Sequence, residues 1–165
     1  MKYITDKKIV FREIVKKDDP EKIKSLVKNT GFFTLEEIEI AEELVLEYLS
    51  KGVKSGYNFI FAEIDEKIIG YTCYGLIPCS KISFDLYWIV VDKEYQGIGI
   101  GKLLNAETEK RIKNMGGIQI IAETSSKRQY NSTRKFYAST GYKRIISIPD
   151  FYDKGDGKVI FLKRL

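Results

Sequence analysis

Apolar positions along this chain recur with two periods, and the switches between them mark eleven segments. Residues 9–15 (Ile9-Val10-Phe11-Arg12-Glu13-Ile14-Val15) read as a first strand. Asp18-Asp19-Pro20 supplies an acidic N-cap and a proline for the first helical turn, which predicts a helix through about Val27, ended by Asn29-Thr30-Gly31. A second helix opens on the capping box Thr34-Leu35-Glu36-Glu37, buries Ile38, Ala41, Val45 and Tyr48 at helical spacing, and stops at Gly52. Strands follow over 57–64, 67–76 and 82–91, the first two joined by Asp65-Glu66, short enough for a tight hairpin. A glycine-rich turn over 96–101 leads into a helix to about Met115. After it come a strand over 118–123, a helix over 131–140 and strands over 142–148 and 158–162, with 124–130 and 149–157 as the longest loops. The order is β-α-α-β-β-β-α-β-α-β-β. No repeat, low-complexity tract or linker interrupts it, so a single domain over 1–165 is expected, its core starting near residue 8.

Composition narrows what such a domain does. A 165-residue chain with 44% hydrophobic residues, 11 Tyr, 9 Phe and 1 Trp has ample material for a core. It contains no histidine. Ser-His-Asp and Cys-His catalytic units, His-ligated zinc and imidazole proton shuttles are therefore excluded, and acid–base work falls to carboxylates, Tyr, Lys, Cys or water. Cys73 and Cys79 are too few for a Cys-based zinc site or a disulfide framework; no metal is expected, and each cysteine has a packing or turn explanation that leaves little room for an acyl carrier. With no apolar leader at the N-terminus and no long apolar run, a soluble cytoplasmic protein without membrane contact is expected.

The formal charge of +5 is unevenly placed: residues 1–95 hold 14 basic and 17 acidic groups, residues 96–144 ten and three. Such asymmetry suits an anionic ligand near the basic segment. Within it, the apolar strand ending Ile89-Val90-Val91 runs through Asp92-Lys93-Glu94-Tyr95 into Gln96-Gly97-Ile98-Gly99-Ile100-Gly101-Lys102. Alternate glycines let backbone approach a ligand closely, and a helix start offers unpaired N–H groups with a partial positive charge, a site suited to phosphate. A tight turn with no ligand is the plainer alternative. Neither the Walker spacing nor the dinucleotide fingerprint fits: Gly101-Lys102 is preceded five positions earlier by Gln96 and followed by Leu103, and the third glycine comes one residue early for Gly-x-Gly-x-x-Gly.

The pattern Gln-x-x-Gly-x-Gly over Gln96–Gly101 resembles the pyrophosphate loop of the GCN5-related N-acetyltransferase (GNAT) superfamily. The resemblance extends over the preceding strand, the following helix and strand, and the segment Asn131-Ser132-Thr133-Arg134-Lys135-Phe136-Tyr137-Ala138-Ser139-Thr140-Gly141-Tyr142, similar to the family's second signature. It implies an α/β (α+β) fold: a mixed central sheet of about seven strands with flanking helices, in which the two central parallel strands, here 82–91 and 118–123, splay apart. It also implies acetyl-CoA as cosubstrate and transfer of its acetyl group to a primary amine by direct attack, with a non-catalytic CoA-binding or regulatory module of the same fold as the alternative. Carried over residue by residue, backbone groups of Ile89, Val90 and Val91 would pair with the pantetheine arm. The N–H groups of Gln96, Gly97, Ile98, Gly99, Ile100, Gly101 and Lys102 would hold the pyrophosphate, with Lys102 adding charge. Tyr137 matches the family's tyrosine that sits near the cofactor sulfur and can protonate the departing thiolate, with a core tyrosine on an amphipathic helix as the plainer alternative. The family's pantetheine-contacting Asn falls on Tyr130, with Asn131 one place later.

Counting eleven residues back from Gln96, where the histone-acetylating branch carries its catalytic Glu, gives Asp85. The residues single it out too: Asp85 is the only charge between Lys81 and Asp92, in an otherwise apolar strand, on a face with Tyr87 and Ile89. It is either a base whose burial raises its pKa or a structural carboxylate, and water is the other candidate base. The acceptor is expected to be a small cationic amine or a peptide N-terminus. The second helix, with Glu36, Glu37, Glu39, Glu42, Glu43 and Glu47, together with Asp150, Asp153 and Asp156 beside Phe151-Tyr152, would form an acidic rim. Nucleic acid is not an expected partner, and the protein is expected to be a monomer or a homodimer.

Overall fold

The computed structural model describes residues 8–165 and contains the eleven expected elements in the expected order. They are β1 (Val10–Arg12), α1 (Asp19–Asn29), α2 (Leu35–Lys51), β2 (Asn58–Ile64), β3 (Lys67–Leu76), β4 (Ser83–Val91), α3 (Ile100–Asn114), β5 (Gln119–Ser125), α4 (Asn131–Ser139), β6 (Lys143–Asp153) and β7 (Asp156–Arg164). The strands form one mixed sheet in the order β1-β2-β3-β4-β5-β7-β6, with β4 and β5 parallel. Among the described residues no helix is long and apolar enough to cross a membrane.

The chain divides into two compact units, one holding the chain up to Gly75 with Trp88–Thr108, the other Leu76–Tyr87 with Glu109–Leu165. In the first, α1 contributes Ile23, Leu26 and Val27, and α2 contributes Ile38, Ala41 and Val45, to a core completed by Phe59, Phe61, Ile68, Tyr71, Cys73 and Val90. The opposite face of β2 and β3 is buried as well: Thr72 shares a hydrogen bond with Thr108 of α3 (2.8 Å), and Thr108 also donates to the Leu104 carbonyl (2.9 Å). Strands covered on both faces lose the in–out alternation, which is why 59–64 and 68–75 read as continuous buried runs. The Asp65-Glu66 hairpin takes positive φ at both residues (48° and 64°), the I′ geometry that follows strand twist.

The α2 capping box forms as its sequence requires, with Glu37 N–H donating to Thr34 Oγ1 (3.2 Å) and Thr34 N–H to Glu37 Oε2 (2.8 Å). At α1 the expectation changes in detail. Pro20 sits in the first turn, but Asp18 makes no side-chain cap and pairs with Lys22 (2.7 Å). Asp19 is fully buried, accepting from Lys16 N–H (2.7 Å) and from the Arg12 guanidinium (2.8 and 2.9 Å), which also binds Glu63. One arginine thus ties β1, α1 and β2 together.

In the second unit Phe84, Leu86, Ile120, Ala122, Val159 and Phe161 point to one buried face, where Tyr137 of α4 and Ile112 of α3 also lie buried. Asp85, Ile121 and Glu123 point the other way. The expected loop over 149–157 is mostly strand. Ile148 pairs with Lys158 and Asp153 with Asp156, so four residues of β6 bulge opposite one of β7. Asp150 makes the bulge possible: it adopts φ 51°, and its Oδ1 accepts from Gly155 N–H (2.6 Å).

Candidate active site

The glycine-rich segment is positioned by a bulge in β3. Ala62 pairs with Gly70 and Glu63 with Ile68, leaving Ile69 as the extra residue, and the Ile69 carbonyl accepts from Asp92 N–H (2.9 Å) just beyond β4. Asp92 then organises the turn that follows: its Oδ1 accepts from Glu94 N–H (3.0 Å) and its carbonyl from Tyr95 N–H (2.8 Å). Gln96 folds back, its side-chain amide donating to the Val91 carbonyl (2.9 Å). This gives the Gln that opens the motif a structural task, fixing the exit of the strand that carries Ile89, Val90 and Val91.

Gly97 and Gly99 adopt φ of 77° and 99°, and a Cβ built on either would meet nothing within 4 Å. Positive φ and open space together describe a cradle that side chains would fill. The α3 ladder begins with Leu103 N–H donating to the Gly99 carbonyl (3.1 Å), so the N–H groups of Ile100, Gly101 and Lys102 precede it and have no intrahelical acceptor. No acidic residue stands in the first turn of α3, and Lys102 is exposed there. The donor set is that of a phosphate site. Ile89, Val90, Val91 and Gln96 to Lys102 are therefore brought together within the first unit.

Behind this segment Gly70 is packed against β4. A Cβ there would lie 2.8 Å from the Val90 carbonyl oxygen and 3.3 Å from Val91 Cα. Nothing in the local sequence marks this glycine, because the contact arises from strand pairing.

In the second unit Asp85 is half-buried on β4, with Ile121 as its β5 register partner. Burial raises its pKa above the ordinary carboxylate range, the negative charge of Glu123 adds to the rise, and Lys158 opposes it. Lys158 Nζ lies 2.5 Å from Glu123 Oε2 and sits over the rings of Phe151 (3.8 Å) and Tyr152 (5.6 Å). Sequence reasoning found Asp85 but missed Glu123 and Lys158, whose proximity follows from the β5–β7 register.

Tyr137 is buried on α4 among Phe136, Tyr142 and Phe161, with ring centroids 5.2 to 5.6 Å away. Burial pushes its pKa well up, so the phenol stays protonated at any working pH. Asn131 is the first residue of α4, exposed, and its side-chain oxygen accepts from Arg134. Cys73 is buried with its thiol pKa raised, the environment of an inert cysteine, while Cys79 lies in a turn at φ 67°.

Several of the carboxylates expected at an acidic rim have partners of their own. Glu37 is used in the capping box, and Glu42 and Glu47 pair with Lys24 (2.5 Å) and Lys51 (2.8 Å). Asp156 is buried against Ser125 and Lys127 and faces no rim.

The family model of the acetyltransferase (GNAT) domain matches residues 55–144, the stretch that runs from just before β2 through the glycine cradle to the start of β6. The chain belongs to the GNAT acetyltransferases. A crystal structure assigned to the GNAT family from Desulfovibrio desulfuricans shares 39% identity with this acetyltransferase, covering 95% of this chain and 99% of that one at a TM-score of 0.93. More distant solved structures share the fold. An aminoglycoside 6′-N-acetyltransferase complexed with coenzyme A is 17% identical, with 94% and 96% of the two chains covered at TM-score 0.73. The PaiA N-acetyltransferase of Thermoplasma acidophilum, also in complex with coenzyme A, is 23% identical, with 96% and 99% covered at TM-score 0.72. No curated protein matches the sequence.

Proposed function

We propose that this GNAT domain transfers the acetyl group of acetyl-CoA to a primary amine. The observation that carries the reading is the cradle at the head of α3, where positive-φ glycines, open space and helix-start N–H groups meet Lys102. Bound there, acetyl-CoA supplies an activated thioester carbonyl. Gln96, Gly97, Ile98, Gly99, Ile100, Gly101 and Lys102 hold its pyrophosphate, and the backbone of Ile89, Val90 and Val91 aligns the pantetheine arm as an added strand does. Asn131 would offer the amide NH₂ of its side chain to the same arm, its oxygen accepting from Arg134.

The acceptor arrives as an ammonium and must lose a proton before it attacks. Asp85 takes that proton, directly or through a water. Its raised pKa makes it a stronger base than an ordinary exposed aspartate. The amine lone pair then forms the N–C bond to the thioester carbonyl, the C–S bond breaks, and the sulfur leaves with the bonding pair. Tyr137 meets that developing negative charge. A buried phenol with a raised pKa is a weaker acid than a thiol, whose ordinary pKa is about 8.5, so Tyr137 stabilises the thiolate by donating a hydrogen bond and the proton is completed from solvent. No covalent enzyme intermediate is required. Holding amine and thioester together supplies most of the acceleration, with acid and base adding about 10²- to 10⁴-fold each. The Asp85 carboxylate favours a cationic amine, either a small molecule or a peptide N-terminus.

Calorimetric titration with acetyl-CoA tests the cofactor half of this reading. The protein is expected to bind it, and Gly99→Val, which fills the cradle and strains a positive-φ position, to weaken binding by about tenfold or more. Equal affinity in the variant contradicts the assignment of the loop.

A further inference from the structure

The face of the second unit that carries Asp85 also carries Glu123 and Lys158, whose positions are fixed by strand register. Asp85 is opposite Ile121, which places Glu123 two residues further along β5 on the same face. Lys158, on the neighbouring β7, is drawn to Glu123 (2.5 Å) and held from the other side by the Phe151 and Tyr152 rings of the β6 bulge. Only 14% of the Lys158 side chain is exposed, so its charge is located rather than free to swing. The groups on this face that act on Asp85 are Glu123 from β5 and Lys158 from β7; Arg164, on the same face of β7, is opposite Gln119 and donates to its side-chain oxygen (2.9 Å), and Tyr87 lies along β4 itself.

We propose that Glu123 and Lys158 are positioning residues that set when Asp85 accepts and releases its proton, Glu123 holding the proton on, Lys158 pulling it off, and the bulge aromatics fixing the distance between the two effects. The inference rests on the reading of Asp85 as base for its use in the reaction, but the coupling itself is a property of the free protein. Its signature is a reversal of sign. Glu123→Gln removes the like charge and releases Lys158 from its partner, and both changes favour the carboxylate. Lys158→Met removes the opposing cation beside Glu123 and leaves Glu123 unneutralised, and both favour the acid.

The test is a carbon-13 NMR titration of the Asp85 carboxyl in the substrate-free protein, in Glu123→Gln and in Lys158→Met, with Asp85→Asn identifying the resonance and thermal melts showing that each variant folds. The Asp85 midpoint is expected to fall in Glu123→Gln and rise in Lys158→Met, each by about half to one pH unit given partial solvent screening. Equal midpoints in the three proteins, or shifts of the same sense in both variants, overturn the proposal. Acidic limbs of kcat/KM that follow the NMR midpoints support Asp85 as base. Limbs indifferent to both variants while the midpoints move leave the couple standing and remove Asp85 from the proton transfer.

Discussion

Asp85 combines two facts that are separately ordinary: it is the one carboxylate inside β4, and it is half-buried beside another carboxylate. Because only the ionised form accepts a proton, turnover limited by that step rises with pH through the Asp85 pKa, which burial raises. Asp85→Asn is expected to lower kcat by about 10²-fold or more, to flatten the acidic limb and to leave acetyl-CoA affinity nearly unchanged; steady-state kinetics with calorimetry separate these effects, and unchanged turnover removes Asp85 as base. Tyr137→Phe deletes one hydroxyl from a packed aromatic cluster. A fall in kcat of about tenfold or more with acetyl-CoA binding retained is expected from loss of the donor to the thiolate, whereas a full-rate variant returns Tyr137 to the core. Asp85 was legible because a lone charge in an apolar strand stands out. Glu123 and Lys158 were not, because residues 35 apart in sequence meet only through the β5–β7 register.

Elements reveal a different division between what sequence shows and what it hides. The capping box of α2, the hairpin at Asp65-Glu66 and the glycine loop before α3 are all encoded within a few neighbouring residues, and all form where expected. The 149–157 segment misleads for a physical reason. Pro149, three aspartates and two glycines signal a loop, yet the Asp150 carboxylate caps Gly155 and lets strand pairing resume at Asp153. Two contacts set by pairing yield stability predictions. Gly70→Ala drives a methyl against the Val90 carbonyl and is expected to cost about 1–3 kcal/mol and to weaken acetyl-CoA binding, since Val90 and Val91 must shift; denaturant melts and calorimetry measure both. Arg12→Met strands the fully buried Asp19 without its cation and is expected to cost about 3–5 kcal/mol, with Asp19→Asn in the same background recovering part of the loss in urea unfolding.

For the molecule as a whole, the formal charge of +5 is a sum of unlike parts, with the basic excess in residues 96–144 and the acidic excess before them. A cosubstrate carrying several phosphate charges explains the basic segment, and raising ionic strength is expected to weaken acetyl-CoA binding, less steeply in Lys102→Ala than in the parent. The missing histidine has sharpened in meaning: in a GNAT acetyltransferase without an imidazole, the proposed proton acceptor is a carboxylate or water, and the proposed partner of the leaving sulfur is a phenol. The central claim, acetyl transfer to a primary amine, is tested most directly by following free thiol released from acetyl-CoA in the presence of amino acids, polyamines, aminoglycosides and peptides in turn. Thiol release that depends on one class of amine, with the acetylated amine recovered in equal amount, is the predicted result. Tight acetyl-CoA binding with no amine-dependent release from any of them would contradict it and leave a CoA-binding module in place of an enzyme.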